Sequence, residues 1–566
     1  MKKNVLIHAI IACAAILSAA AFPACDTSGA ELVDYTKSWE HKALQLQRGL
    51  DLDAPLPQAT FIGTHNSYNA KAYTTAVSYI DPNHIYPLYD QLSLDCRAIE
   101  LDMHWYFSMQ GAPWNWRHRP LLSHAQGNHV GASAFDRPIE EGLDEINYWL
   151  REPDNAGEVL IIYIEEHLDG HFKETADIIN SYFGDLIYRP GGSCQGIPMN
   201  ISKMDVLNAG KQVIIVGDGC RNADWHSIAF AGVGDRTGSV YVTGTNSNFK
   251  PYPDCGSGGV SPADYNKYLV RYYEDRTWLT SHFGKPDKYI EPADVVAFLK
   301  CGANILGMDK LTPTDGRLKS AVWSWAEGEP NNANNSESSA MQLENGRFND
   351  ANPSLEYPFA CKNRATGQWY VTNGAGSWDD GVSLCASETG GQFQFAVPSS
   401  SRDNQKLVDA KLAKRVKEVW LNYFAAGASS APACRQKCEY VNKGGAIKKK
   451  CATICGAAPA KTWVSGYGSS YVTQPVRKTV KVFQNCNYGG YAKSLAPGNY
   501  NMNDILANGI RNDDLSSIQV PAGMKVVMYE HADYAGRSWT VTKNTACFVD
   551  IGANDVVSSM KVMMTP

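Results

Sequence analysis

No part of the chain concentrates positive charge. Its 566 residues carry 52 Lys and Arg against 58 Asp and Glu, a formal net charge of −6. Binding a phosphate backbone needs a focused basic surface, so nucleic acid is not expected as a partner. Long apolar runs are equally scarce. Beyond residue 24 no stretch approaches the roughly 18 apolar residues of a membrane-spanning helix, so contact with a membrane has to be peripheral. Core material is not lacking: 44% of residues are hydrophobic and 19% charged, in a chain too long for one domain. Three or four modules are expected, in a monomer.

Lys2 and Lys3, an apolar run over 5–17 and small residues at 18–21 have the form of a secretory signal peptide, assigned to 1–24. Export and free secretion follow as expectations. Phe22-Pro23-Ala24-Cys25 distantly resembles a lipoprotein cleavage box, which keeps an anchor at Cys25 as the alternative. The fifteen cysteines agree with an oxidising compartment and leave pairing mostly open.

Within 25–325, strand-length apolar runs at 59–63, 98–101, 159–165, 212–216, 240–243 and 303–308 alternate with helical patterns, as parallel βα units do. One crossover helix is legible: Pro138 opens a segment with Ile139, Leu143, Ile146 and Leu150 at helical spacing, behind a candidate cap at Asp136. The span suits one TIM-type α/β barrel, typically about 250 residues, whose active site gathers at the strands' C-terminal ends. Polar groups fall there. Phe61-Ile62-Gly63 runs into Thr64-His65-Asn66, Ala98-Ile99 into Glu100-Leu101-Asp102, and the run from 159 into Glu165-Glu166-His167. One amide oxygen and three carboxylates are hard ligands suited to calcium. Surface ion pairs and a loop histidine are the bland alternative, and the flanking apolar strands argue against it.

Gly63-Thr64-His65-Asn66-Ser67-Tyr68, Cys96-Arg97-Ala98-Ile99-Glu100-Leu101-Asp102, Leu121-Leu122-Ser123-His124 and Ile164-Glu165-Glu166-His167 occur in an order and spacing that resemble the catalytic X domain of phosphatidylinositol-specific phospholipase C. The metal-free bacterial branch of that family places an arginine where this chain has Asp102, and commonly Asp where it has Asn66. Asn66, Glu100, Asp102 and Glu165 instead match the four protein calcium ligands of the calcium-dependent branch. The resemblance implies Ca2+ as cofactor and phosphatidylinositol at the bilayer surface as substrate. The inositol 2-hydroxyl would attack its own phosphate, giving diacylglycerol and a cyclic or open inositol phosphate. It also implies Glu100 as acceptor of the hydroxyl proton, His65 as donor to the charged phosphorane and His124 as acid for the leaving group, with the two histidines open to exchange. Arg97 lies an odd number of residues from Glu100 and is expected to point away from the site. Gly217-Asp218-Gly219 ends a strand where relatives preferring phosphorylated inositides carry paired lysines, which favours the unphosphorylated lipid.

After the barrel the vocabulary changes. Trp323-Ser324-Trp325 through Glu329-Pro330-Asn331-Asn332, Gly346-Arg347-Phe348-Asn349-Asp350 and Tyr357-Pro358-Phe359-Ala360-Cys361 resemble the second half of an α+β C-type lectin domain, and Ser377-Trp378-Asp379-Asp380 through Cys385 resembles its first half. The reversed order over 326–425 reads as a circular permutation or as two decayed modules. The resemblance implies a Cys361–Cys385 disulfide, calcium and sugar positions at Glu329, Asn331, Glu337, Asn349 and Asp350, and glycans as a further ligand class. A merely structural lectin-like fold is the competing reading.

Residues 426–475 look like a linker. They contain Cys434-x-x-x-Cys438 and Cys451-x-x-x-Cys455, a spacing that predicts a helical hairpin stapled by two disulfides, with a zinc site as the alternative that export disfavours. Over 476–566, Phe483-Gln484-x-x-x-Tyr488-x-Gly490 recurs as Tyr529-Glu530-x-x-x-Tyr534-x-Gly536, and Asn512-Asp513-Asp514-Leu515-Ser516-Ser517 as Asn554-Asp555-Val556-Val557-Ser558-Ser559. This repeat resembles an all-β βγ-crystallin Greek-key sandwich, and implies calcium at Asn512, Asp513 and Ser517 and at Asn554, Asp555 and Ser559.

The leading expectation is an exported, calcium-dependent phospholipase C with accessory surface-binding modules. Another barrel phosphodiesterase, of glycerophosphodiesterase or sphingomyelinase-D type, is one alternative. A surface adhesin with an inert barrel is the other.

Overall fold

The computed structural model describes residues 28–564 apart from 233–239, 245–248, 257–260, 263–264, 266–267, 280–288, 427–433, 444–445, 456–461, 466–479, 496–497 and 521–523. The expected signal peptide and Cys25 lie outside the described residues. Ten strands form the first sheet: β1 (Phe61–Gly63), β2 (Ala98–Ser108), β3 (Arg117–Leu122), β4 (Arg137–Pro138), β5 (Leu160–His167), β6 (Val213–Gly217), β7 (Ala229–Ala231), β8 (Val240–Gly244), β9 (Leu269–Tyr273) and β10 (Ile305–Gly307). Eight of them run parallel in the order β7-β6-β5-β2-β1-β10-β9-β8. Consecutive parallel strands pair, with β10 returning to β1, except β7 and β8, which end the path and are not paired among the described residues; the sheet curls as a TIM-type barrel does. β3 leaves this path, pairing antiparallel with β2 and with β4.

Alternation along β2 and β5 separates two cores. Ile99, Leu101, Met103, Ile162 and Ile164 join the packing of Leu143, Ile146 and Ile179 from the outer helices. Ala98, Ile161 and Tyr163 face inward with Phe61, Val216, Leu269 and Ile305. The crossover helix spans Ile139–Leu150 and buries the four apolar positions expected of it. Its cap differs from expectation. Pro138 occupies the N-cap without a side-chain bond, while Asp136 instead accepts hydrogen bonds from Ser123 Oγ at 2.7 Å and the Ser133 amide at 2.8 Å. Proline already sets the entry φ, so the acid is free to tie the preceding loop.

The next module is built on the sheet of Phe348–Ala351, Ser339–Gln342, Val419–Ala426 and Thr462–Ser465, the sheet of Trp369–Val371, Ala360–Lys362 and Gln394–Phe395, and helices Gly381–Thr389 and Ser401–Lys414. Cys361 and Cys385 are disulfide-bonded. This module shares its core with the barrel: Trp325, Phe348, Tyr423 and Trp463 belong to one cluster with Val270, Leu306 and Phe298. Two expectations change here. Thr462–Ser465 is a strand of that sheet, paired with Val419–Ala426, so this part of the expected linker is structural. The two CxxxC segments form an antiparallel β-hairpin, Cys434–Lys443 against Ala446–Cys455, whose register sets Cys434 opposite Cys455 and Cys438 opposite Cys451. A four-residue spacing is compatible with a strand as well as with a helix, so the spacing alone does not decide between them.

Residues 480–564 give two antiparallel sheets, Gly489–Leu495, Val480–Asn485 and Ser517–Gln519 in one, and Gly498–Tyr500, Ser559–Met564, Met524–Tyr529 and Ser538–Val541 in the other. They enclose one core that includes Val482, Ile518, Val526, Phe548 and Val562, closed by the Cys486–Cys547 disulfide.

Candidate active site

The parallel register aligns the strand ends that carry the polar residues. Asp102 sits opposite Glu165, and Gly63 opposite Ala98. A Cβ on Gly63 would lie 2.6 Å from the Ala98 carbonyl oxygen, so only glycine lets β1 approach β2 this closely. Just beyond, Asn66 adopts φ 47°, a left-handed conformation that asparagine tolerates better than most residues. This turns its amide N–H onto Glu100 Oε2 at 2.9 Å. The Asn66 side-chain nitrogen is 3.1 Å from His124 Nε2, which leaves its carbonyl oxygen as the ligand it can offer.

Glu100, Asp102 and Glu165 each present a carboxylate oxygen within 4.8 Å of the others. Like charges so close are unfavourable unless something positive stands between or beside them. Two groups that sequence reasoning missed bear on this. Arg271, on β9, donates from both terminal nitrogens to Glu100, at 3.0 and 2.6 Å. Burial opposes the Glu100 charge, but Arg271 and then His65 outweigh it and hold its pKa down to about 2. Asp102 has no such partner. Burial, followed by the Glu100 and Glu165 charges, pushes its pKa well up. Tyr68 donates to Asp102 Oδ2 at 2.8 Å, and Asp102 Oδ1 is buried without a hydrogen-bond partner.

The second missed group is Asp309, beyond β10, fully buried and 3.4 Å from His65 Nδ1. His65 Nε2 lies 3.8 Å from Glu100 Oε2. Burial disfavours the imidazolium, yet the Glu100 and Asp309 carboxylates prevail and push His65 up to about 9. His124, at the rim, is shifted the other way, by desolvation and then by the His65 charge. Their surroundings thus favour opposite charge states, the imidazolium at His65 and the neutral ring at His124. The Tyr273 ring packs 4.9 Å from that of His65.

A metal fits this constellation on its own terms. Three clustered carboxylates, an orphaned buried carboxylate oxygen and a free amide oxygen are the hard donors calcium takes. Among the described residues no other group of three His, Cys, Asp or Glu side chains meets at one point. Arg97 turns away as its parity requires, pairing with Glu158 at 2.9 Å and stacking over Trp149. Asp218, at the end of β6, accepts a hydrogen bond from Tyr163 at 2.5 Å.

The remaining expected ligands lie elsewhere. Asp350 accepts from the Asn331 and Asn332 amides at 3.0 and 2.7 Å, Glu329 from the Asn331 side chain at 2.7 Å and Glu337 from the Ala333 amide at 2.8 Å. Asn349 donates to the Asp350 carbonyl. Burial and then Asp350 push Glu329 up to about 7. In the C-terminal sandwich the repeat is reciprocal. Ser516 Oγ donates to Asp555 and Ser558 Oγ to Asp513, both at 3.0 Å. Ser517 and Ser559 each accept from the amide of the tyrosine in the facing loop, Tyr488 and Tyr534, at 3.1 Å. Asn512 and Asn554 bond the neighbouring Asp513 and Asp555.

Comparison with known proteins adds the following. The family model described as the Rv2075c PI-PLC-like domain matches residues 23–315. The uncharacterized protein Rv2075c of Mycobacterium tuberculosis is 30% identical over 396 residues, covering 66% of this chain and 77% of that protein. The C-terminal segment is 36% identical over 88 residues to a development-specific protein S homolog of Myxococcus xanthus, spanning 49% of that protein. Among solved structures, a βγ-crystallin domain double mutant from Clostridium beijerinckii is 41% identical, covering 15% of this chain and 96% of its own, with a TM-score of 0.15. The N-terminal domain of protein S is 34% identical, covering 16% and 98%, at the same TM-score.

Proposed function

The chain belongs to the Rv2075c family of PI-PLC-like domains, and from that premise we propose that it is a calcium-dependent phospholipase C that cleaves phosphatidylinositol outside the cell. The phosphodiesterase-type barrel is common to the family. The finer reading rests on one observation above all: Glu100, Asp102 and Glu165 converge beside Asn66, with an unpartnered oxygen on Asp102. Asn66, Glu100, Asp102 and Glu165 would hold the ion. Bound there, calcium would supply positive charge beside the phosphate and lower the pKa of the inositol 2-hydroxyl.

The chain's own groups do the rest. Cationic His65, fixed by Asp309, donates a hydrogen bond to the phosphate as its charge grows. Glu100, held ionised by Arg271, is a weak proton acceptor. Its principal work in this reading is to ligate and to keep His65 charged. Neutral His124 can take up the hydroxyl proton, and the departing diacylglycerol oxygen, opposite the nucleophile in an in-line displacement, takes its proton from the other histidine. Acidic Asp218 at the end of β6 disfavours additional phosphates on the ring. The lectin-like and βγ-crystallin-like modules, with calcium in their loops, would keep the secreted enzyme on glycan-bearing or other surfaces.

Headgroup release from phosphatidylinositol, its phosphates, phosphatidylcholine and sphingomyelin, measured against calcium concentration, tests this. Inositol phosphate from phosphatidylinositol alone, abolished by a chelator and by His65→Ala, is expected. Choline release, or activity indifferent to the chelator, refutes it.

A further inference from the structure

The module that follows the barrel carries an open groove of about 410 Å³, within the size range of small-ligand sites. None of Glu329, Asn331, Glu337, Asn349 and Asp350 lines it. One wall is the turn of Thr366 and Gln368, which joins Ala360–Lys362 to Trp369–Val371, and the other is helix Ser401–Lys414, which contributes Lys406 and Asp409. Trp369 and Phe393 supply the apolar surface, both half-buried. The sheet register brings them together: Trp369 and Gln394 each pair with Lys362, so Trp369 and Phe393, the residue before Gln394, flank one central strand.

Trp369 is held in place before any ligand arrives. Its indole N–H donates to Asp403 at 3.0 Å, and the Lys362 ammonium, bonded to the same carboxylate at 2.7 Å, lies over its ring. A ring fixed in this way loses little freedom when a ligand stacks on it.

Charge in the groove is not balanced. The helix carries Arg402, Lys406, Lys411 and Lys414 against Asp403 and Asp409, in a chain whose net charge is negative. Both acids are engaged: Asp403 by Lys362 and Trp369, and Asp409 by the Tyr252 hydroxyl and by Gln405 at 3.0 Å. Lys406 is exposed and makes no hydrogen bond or ion pair among the described residues. Partial desolvation and then the Arg402 charge lower its pKa, so its ammonium lacks the counterion that would stabilise it.

We propose that this groove binds an acidic sugar, a uronic acid or a similarly carboxylated pyranose. Its carboxylate meets the Lys406 ammonium, its C–H face lies on the aromatic surface of Trp369 and Phe393, and its hydroxyls meet Thr366 and Gln368. An aromatic wall matches the apolar face of a pyranose ring, and a carboxylate on a lysine makes a charge-assisted hydrogen bond. A bare anion would use the cation and leave the aromatic wall and the uncharged polar rim without a purpose. The inference is independent of the lipid-cleaving reading above.

Titration calorimetry of the full chain in excess chelator tests it, with the trisaccharide of galacturonic acid, the matching trisaccharide of galactose, and succinate as an anion without a sugar ring. Chelator keeps every calcium position of the chain out of the measurement. Wild type is expected to bind the galacturonate trimer about tenfold more tightly than the neutral one, the worth of one charge-assisted hydrogen bond, and to ignore succinate at the same concentration. Lys406→Gln is expected to erase the preference for the acidic trimer, and Trp369→Ala to weaken both sugars. Because Trp369 also anchors Asp403, Lys406→Gln, which breaks no contact, decides the matter. Absence of binding to millimolar galacturonate trimer, equal affinity for the two trimers, succinate binding as tight as the acidic sugar, or a Lys406→Gln variant that keeps the preference overturns the site.

Discussion

Replacing Arg271 by glutamine removes one half of a buried ion pair whose side chains are only 3% and 5% exposed. The volume changes little, so the effect is electrostatic. Glu100 then faces Asp102 and Glu165 with His65, 3.8 Å away, as the counterion that remains. Breaking a buried pair from one side costs about 3–5 kcal/mol. For a barrel of this size each kcal/mol moves the midpoint by about 2 °C, so Tm should fall by roughly 6–10 °C in chelator. Calcium should restore more of that loss in Arg271→Gln than it adds to wild type, because the ion then does the neutralising that the guanidinium did. Adding Glu100→Gln to Arg271→Met should recover most of the stability in chelator, since the uncompensated charge is gone. Differential scanning calorimetry of the barrel transition, with and without millimolar calcium, reads both effects. A fall under 2 °C, or equal calcium shifts in wild type and variant, would falsify the view that Arg271 stands in for missing positive charge.

Other outcomes follow from charges remote from the mouth. Glu158 is held down to about 2, because Arg48 and Arg97 outweigh the burial that opposes its charge, and Asp95 lies lower still beside Arg48. Depressed carboxylates contribute stability above their unfolded values near 4 and lose it as pH falls toward the folded ones. Urea midpoints should therefore drop steeply between about pH 4 and 2, and Arg48→Gln should flatten that drop; a parallel pH profile in the variant counts against it. In the C-terminal sandwich, calcium at one hundred times its dissociation constant adds about 2.7 kcal/mol per site, roughly 10–20 °C for a domain this small. Asp513→Ala and Asp555→Ala should each remove a large share of that shift in calorimetry, with equal shifts in wild type and both variants as the refuting result.

The crossover helix and the β1, β2 and β5 strand ends were legible because periodicity and apolar runs are local properties. Glu100, Asp102 and Glu165 were legible for the same reason: carboxylates at the end of a buried strand stand out in sequence. Arg271 did not stand out. It lies within Leu269-Val270-Arg271-Tyr272-Tyr273, and a cation in an apolar, aromatic run was the available signal. Its meaning depends on β9 lying across the barrel interior from β2, a non-local fact. Asp309 was hidden likewise, one residue past a strand whose end had been recognised. The CxxxC hairpin failed differently, since its spacing is shared by helix and strand and only pairing decides between them.

The site's charge balance leads to one more test. Glu100, Asp102, Glu165 and Asp309 face Arg271 and the His65 imidazolium, and His167 pairs with Glu165 at 2.9 Å, so with every carboxylate ionised negative charge exceeds positive by two, or by one when His167 is protonated. The structure relieves this at Asp102, whose pKa is raised by burial and by its two acidic neighbours. In the metal-free protein Asp102 is then the carboxyl expected to hold a proton most readily. A divalent cation entering among these groups must expel it. Calcium binding to the barrel should therefore release close to one proton near neutral pH, and affinity should rise with pH, since protons and calcium compete for the same oxygen. Titration calorimetry of the full chain in buffers of different ionisation enthalpy reads the released proton directly. Asp102→Asn should abolish the buffer dependence of the barrel site while leaving that of the C-terminal sandwich unchanged. A binding enthalpy that is the same in every buffer for the wild type would mean that Asp102 is already ionised, and that Arg271 and His65 balance the cluster without help from an ion.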